Sequence, residues 1–349
     1  MISDTLGYSC GCISFKREGP GMRYWMYFTI TVLLLGGCTA GSQVGSQAQT
    51  SQSNRERLYD DVRMLSETFA QRNTNHRGVL NDAGTWVGDR LASMGYVVNL
   101  EQVNKQKPER GFNVIAELRG TTRPEEIVLI GAHYDAEIDT PGADDNASGV
   151  AAMLELARRF ADAPMDRTVR WVGFTNEENS NSKGGVMGSF AHAREAKNRN
   201  ESIVAMMSLE MLGFYDETPG SQQYPFDQSM AARLGMDLPD TGDFIGVVGR
   251  FEDRRLIDAI SASMRASERA NVVDAALPAM VRAIWRSDHG NFWLAGYNAV
   301  MITDTSEFRT PHYHMPSDTI ETLDFERMEG VVDALEVAIR DLATLSPDE

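Results

Sequence analysis

Cysteine, histidine, basic charge and long apolar runs are all in short supply in this 349-residue chain. The three cysteines, Cys10, Cys12 and Cys38, fall within the first 38 residues. Everything after them is therefore without disulfides and without thiolate metal sites. Lys and Arg number 33 against 50 Asp and Glu, a net charge of −17, which removes the basic face a nucleic-acid binder needs. No apolar run approaches the roughly 20 residues of a membrane-spanning helix, so a polytopic membrane protein is excluded. Neither a GxSxG elbow nor an HExxH helix occurs. What is present is an ordinary globular composition with 42% hydrophobic residues, enough for a core, which excludes disorder along the whole length.

The N-terminus has the composition of a targeting segment. Tyr24 to Leu35 reads YWMYFTITVLLL, with Arg23 as its positive flank and Met22 as an alternative start. That run is too short to cross a bilayer but suits a signal-peptide core. Residues 1–37 are accordingly expected to be a signal peptide. Leu35-Gly36-Gly37-Cys38 resembles the lipobox of bacterial lipoproteins, which implies an acylated Cys38 as the first mature residue; a plain secretory signal is the alternative. Acyl chains would anchor the protein without spanning the membrane, placing it in the cell envelope, at the outer membrane or periplasmic face of a Gram-negative cell. Residues 38–54, which after Cys38 hold little but Gly, Ser, Gln, Thr and Ala, read as a flexible tether. Residues 55–349 read as one domain.

That domain alternates strand-like and helix-like segments. Strands are expected at 97–103, 113–118, 127–130, 168–174, 203–209, 244–248 and 299–303. Helices are expected at 57–72, 86–94, 149–160, 187–196, 256–270 and 325–345, from apolar residues at helical spacing. The alternation predicts a three-layer α/β fold: a mixed, mostly parallel central sheet with helices on both faces. Such sheets carry their sites beyond the carboxyl ends of the strands, and several of these strands stop at acids or histidines. The strand 127–130 runs into Gly131-Ala132-His133-Tyr134-Asp135, where an imidazole and a carboxylate share a face of extended chain. Gly142-Ala143-Asp144-Asp145-Asn146-Ala147-Ser148-Gly149 opens a helix; its acids could cap that helix or supply hard oxygen ligands. The strand 168–174 ends in Thr175-Asn176-Glu177-Glu178, where neighbouring side chains point opposite ways. Glu210 closes a wholly apolar strand, and a carboxylate there must be paired or metal-bound. His312-Tyr313-His314 and Asp318 follow the last strand.

Taken in order, HYD, PGADDNASG, NEE, a strand ending in a carboxylate, and YHxxxDT resemble the M28 family of zinc aminopeptidases over about residues 57–345. Gly220–Pro225 and Ser287-Asp288-His289 resemble further family segments. The resemblance implies a pair of zinc ions. His133 would bind one, and His314 the same or the other. Asp144 would bridge both, with a cis peptide to Asp145, while Glu178 and Glu210 would complete the ligands. It also implies Glu177 as general base, Tyr313 as hydrogen-bond donor to the oxyanion, Asp135 behind His133, and Asp288 and His289 in contact with substrate. Glu210 stands where Asp is more common in the family. The implied activity is hydrolysis of peptide substrates at their N-terminal residue. The alternatives are a carboxypeptidase or dipeptidase of the same family, a glutaminyl-cyclase-like acyltransferase, and a non-catalytic binding lipoprotein.

Overall fold

The computed structural model describes residues 52–104, 111–178, 186–233, 236 and 238–345. The expected signal segment, Cys38 and the tether up to residue 51 lie outside the described residues. Eight strands form one sheet: β1 (Val98–Gln102), β2 (Phe112–Leu118), β3 (Arg123–His133), β4 (Arg167–Phe174), β5 (Ser202–Glu210), β6 (Ile245–Arg250), β7 (Val272–Leu277) and β8 (Ala299–Thr303). Their order is β1-β2-β4-β3-β5-β8-β6-β7. The middle, β4-β3-β5-β8, is parallel throughout. Antiparallel pairing joins β1 to β2, β2 to β4, and β6 to β8. The expected mixed α/β sheet is what the chain forms, with its parallel strands concentrated where the site lies.

The parallel strands are apolar without alternation because both of their faces are covered. In β3, Val128 and Ile130 enter one core and Ile127 and Leu129 the other. The first core is closed by α1 (Asn54–Arg63), α2 (Arg77–Ser93), α3 (Gly149–Phe160), α6 (Arg254–Ala266) and α8 (Phe325–Ala343). The second is closed by α4 (Gly188–Asn198) and α7 (His289–Ala295). A short α5 (Gln228–Arg233) lies in the connection from β5 to β6.

Strand β7 and helix α7 are not among the elements expected from the sequence. An edge strand buried at three of its six positions leaves no continuous apolar run to read. Helix α4 lies where expected, and His192 on it is buried against Glu101 (2.9 Å).

Glu155 on α3 is 2% exposed and is held by Arg57 at 2.9 Å, Arg158 at 2.6 Å and Arg159 at 3.0 Å. Burial works against its charge, but the three guanidiniums prevail and hold the carboxyl at about 2, below the ordinary 4.5. A folded value below the unfolded one stabilises the fold above pH 4.5, and that contribution is lost as pH falls toward 2. The contribution is roughly 3 kcal/mol at neutral pH, because each tenfold difference in proton affinity between the two states is worth about 1.4 kcal/mol. E155Q is therefore expected to be clearly less stable than the parent at pH 7 and to approach it between pH 4.5 and 2. Denaturant titrations across that range check this, and a pH-independent gap would contradict it.

Candidate metal centre

Because β4, β3, β5 and β8 are parallel neighbours, their carboxyl ends sit side by side. His133 is the last residue of β3 and Glu210 the last of β5; Glu177 and Glu178 follow β4 by three and four residues, and His314 lies in the segment after β8. The sequence brings these groups together by ending apolar strands on them. Gly142 turns the chain toward the next acids with φ +62°, and a Cβ there would meet the Asp145 carbonyl oxygen at 2.4 Å. Asp145 and Asn146 then leave helical geometry, with a cis peptide between them.

The geometry has two halves that share one carboxylate. His133 Nε2 lies 3.3 Å from Asp145 Oδ1 and 3.5 Å from Glu210 Oε1. His314 Nε2 lies 3.2 Å from Asp145 Oδ2 and 3.0 Å from Glu178 Oε2. Asp145, with one oxygen toward each histidine, is the carboxylate that the two halves share. This corrects the expectation for Asp144, and the cis bond is Asp145–Asn146 rather than Asp144–Asp145. Asp144 turns away from the histidines: Oδ1 accepts from Gly213 N–H at 2.9 Å, and Oδ2 is buried without a hydrogen-bond partner. Burial and Asp304 push Asp144 far above the usual carboxylate range, and burial raises Asp304 to about 6.

Several nearby groups orient the cluster. Asp135 lies 3.5 Å from His133 Nδ1 and accepts the backbone N–H groups of Glu177 and Glu178, both at 3.1 Å. One carboxylate thus aligns an imidazole and the loop carrying both glutamates. Asp318 does the same for the acidic turn, accepting from the N–H of Asp144 (2.8 Å) and Asp145 (3.1 Å). It belongs to the YHxxxDT segment, yet nothing in the sequence gives it this role. Ser287 Oγ donates to Glu210. Arg72, fully buried, donates to the carbonyl oxygens of Leu65, Tyr134, Pro141 and Gly142 at 2.6–3.0 Å. No motif marks Arg72.

Other expected residues stand elsewhere. Tyr313 lines the cavity, its ring stacked on His314 at 3.8 Å. His289 is buried, bonds the Ile284 carbonyl oxygen at 2.7 Å and packs on Trp293. Burial lowers it to about 4. Asp288 is buried behind the centre and raised by burial to about 7. Neither lines the cavity, so the expected substrate contact is corrected for both: the start of α7 turns them inward. His312, beside His314 in sequence, bonds Ser317 Oγ instead.

The donor set suits a cation. Two imidazoles and three carboxylates converge, and Asp145 Oδ1, Glu178 Oε1 and His314 Nε2 are buried without a hydrogen bond. Two nitrogen-bearing clusters without sulfur match a borderline metal with an accessible coordination position. Without a cation the acids compensate through the imidazoles. Burial opposes a charge on His314, but Asp145 and Glu178 raise it to about 10. Glu177 also lies within the His133 cluster. Burial raises it well above an ordinary glutamate, with Glu178 and Glu210 adding to the effect and His133 opposing.

A cavity of about 440 Å³ opens beside the cluster. Asp145, Glu177, Glu178 and Glu210 line one end, and Phe226, Phe244, Val248, Val273, Leu277 and Met301 make much of the rest apolar.

Comparison with known proteins finds likeness over most of the chain. The model of peptidase family M28 matches residues 113–338. Protein YfbL of Escherichia coli (strain K12) is 35% identical over 291 residues, covering 80% of this chain and 86% of the relative. A probable zinc metalloprotease of Leptosphaeria maculans is 26% identical, covering 74% of this chain and 66% of the relative. Among solved structures, BSAP, a zinc aminopeptidase from Bacillus subtilis, shares the fold with a TM-score of 0.61 at 14% identity, over 84% of this chain and 96% of that one.

Proposed function

The chain belongs to peptidase family M28, and from that premise we propose that it is a zinc-dependent exopeptidase removing N-terminal residues from peptides. The observation that carries this reading is Asp145 shared between two histidine–carboxylate clusters, with Glu177 beside them at the mouth of an apolar cavity. His133, Glu210 and Asp145 would hold one ion, and His314, Glu178 and the same Asp145 a second. Bound zinc supplies Lewis acidity and lowers the pKa of water.

The chain's own residues do the rest. Glu177 takes the proton of the attacking water and passes it to the leaving amine. Tyr313 donates a hydrogen bond to the carbonyl oxygen as negative charge grows on it. Asp135 keeps His133 and the two glutamates in register. The apolar cavity favours an apolar first side chain, and the acids at its metal end favour a free ammonium over a carboxylate. The lipobox-like segment adds a location to this proposal: anchorage in the cell envelope through an acylated Cys38.

The test uses the chain purified from membranes, with its intact mass showing whether it begins at an acylated Cys38. One tripeptide with an apolar first residue is offered with a free and with an acetylated N-terminus, each with and without a zinc chelator. Cleavage of the free form alone, abolished by the chelator and restored by zinc, is the expected outcome. Equal cleavage of both forms would point to a carboxypeptidase-type member. A zinc-loaded chain that cleaves neither would sink the peptidase reading.

A further inference from the structure

Arg286 stands one residue before the Ser287 that bonds Glu210, and it lines the same cavity as Tyr313. Its guanidinium meets Tyr313 in two ways. Nη2 donates to the phenol oxygen at 2.6 Å, and the guanidinium carbon lies 5.4 Å from the ring centroid. Nη1 pairs with Glu307, another cavity residue. The Tyr313 ring is also stacked on His314, 3.8 Å away with planes 21° apart. The phenol is thus fixed by a stack on one side and a charged donor on the other.

Two consequences follow from elementary hydrogen bonding. A phenol oxygen has one hydrogen to give and lone pairs to accept with. With Arg286 on a lone pair, the hydrogen is left for an acceptor in the cavity. A charge-assisted bond received by the oxygen also strengthens the bond it donates. Glu307 occupies the far side of the guanidinium, which argues against Arg286 serving as a free receptor for a substrate carboxylate.

We propose that Arg286, steadied by Glu307, is a positioning residue that aims and polarises the Tyr313 phenol toward the scissile carbonyl oxygen. The proposal rests on the peptidase reading, in which Tyr313 touches that oxygen. It assigns Arg286 an effect on turnover, exerted through Tyr313, and none on ground-state binding.

The experiment compares the full-length parent with Y313F, R286M, R286K and the R286M/Y313F double variant. Each is assayed on a leucyl arylamide, which has no carboxylate, and on a leucyl dipeptide with a free C-terminus; zinc content is measured in parallel. Loss of an oxyanion donor in Y313F should lower kcat by about 100-fold. R286M should lower kcat by about tenfold on both substrates with KM and zinc unchanged, a size typical of coupling within one hydrogen-bond network. It should cost nothing further in the Y313F background. R286K should recover part of the loss, because an ammonium can donate to the phenol but cannot fork to Glu307 as well.

An undiminished R286M loss in the Y313F background would overturn the proposal, as would a loss confined to the KM of the free dipeptide, or no loss at all. An active parent whose Y313F variant is equally active would remove the role of Tyr313 and that of Arg286 with it. A zinc-loaded parent inactive on both substrates would instead sink the peptidase reading, and this inference along with it.

Discussion

E177Q is expected to retain its metal and lose about 10²–10⁴-fold in kcat, the range that a positioned general base contributes. Gln keeps the shape of Glu177 but cannot take up a proton. The neighbouring glutamates keep their supports: Glu178 remains fixed through its backbone N–H to Asp135, and Glu210 through Ser287. The loss should therefore appear in kcat with little change in zinc content or thermal stability. Zinc analysis and steady-state kinetics on one preparation provide the check. A variant that keeps its zinc and turns over within a few-fold of the parent would remove Glu177 from the mechanism.

The second large effect separates two adjacent acids. D145N takes away the shared charge between His133 and His314, while D144N alters a carboxyl that faces Asp304 and Gly213. D145N is expected to weaken zinc binding by more than about 100-fold, since even the loss of an outer partner of a ligand costs about 10–100-fold. D144N should bind zinc nearly as well as the parent. An amide of the same shape can still accept from the Gly213 N–H, and the change touches neither histidine. Competition with a chromogenic chelator measures both affinities. Weak binding in D144N together with normal binding in D145N would reverse the assignment.

These two acids also show where sequence reasoning runs out. His133, Glu177, Glu178, Glu210 and His314 stand out because each closes or follows an apolar strand, and a parallel sheet puts such ends together. Asp144 and Asp145 are adjacent in a turn, and spacing does not decide which of them faces the histidines. That is set by the non-helical backbone at Asp145 and Asn146, and by Asp318 gripping both N–H groups from 173 and 174 residues away. Asp288 and His289 mislead for a related reason. Their motif marks the right segment, but at the start of α7 both side chains are buried, His289 against Ile284 and Trp293. The layered α/β architecture was legible from alternating apolar runs, whereas β7, half-covered at the sheet's edge, had no such run to show.

Arg72 has a consequence for how the molecule breathes. Its guanidinium takes up the carbonyl oxygens of Tyr134, Pro141 and Gly142, and its own carbonyl oxygen receives the Ala136 N–H. The stretch between His133 and Asp145 would otherwise be an irregular connection, the kind of segment that opens readily on its own. Pinned to a buried cation, it cannot lift away without stranding a charge and several peptide oxygens in the interior. Opening of this loop is therefore expected to cost more than that of an unpinned surface loop, so the spacing between His133 and Asp145 is held by a group that touches neither.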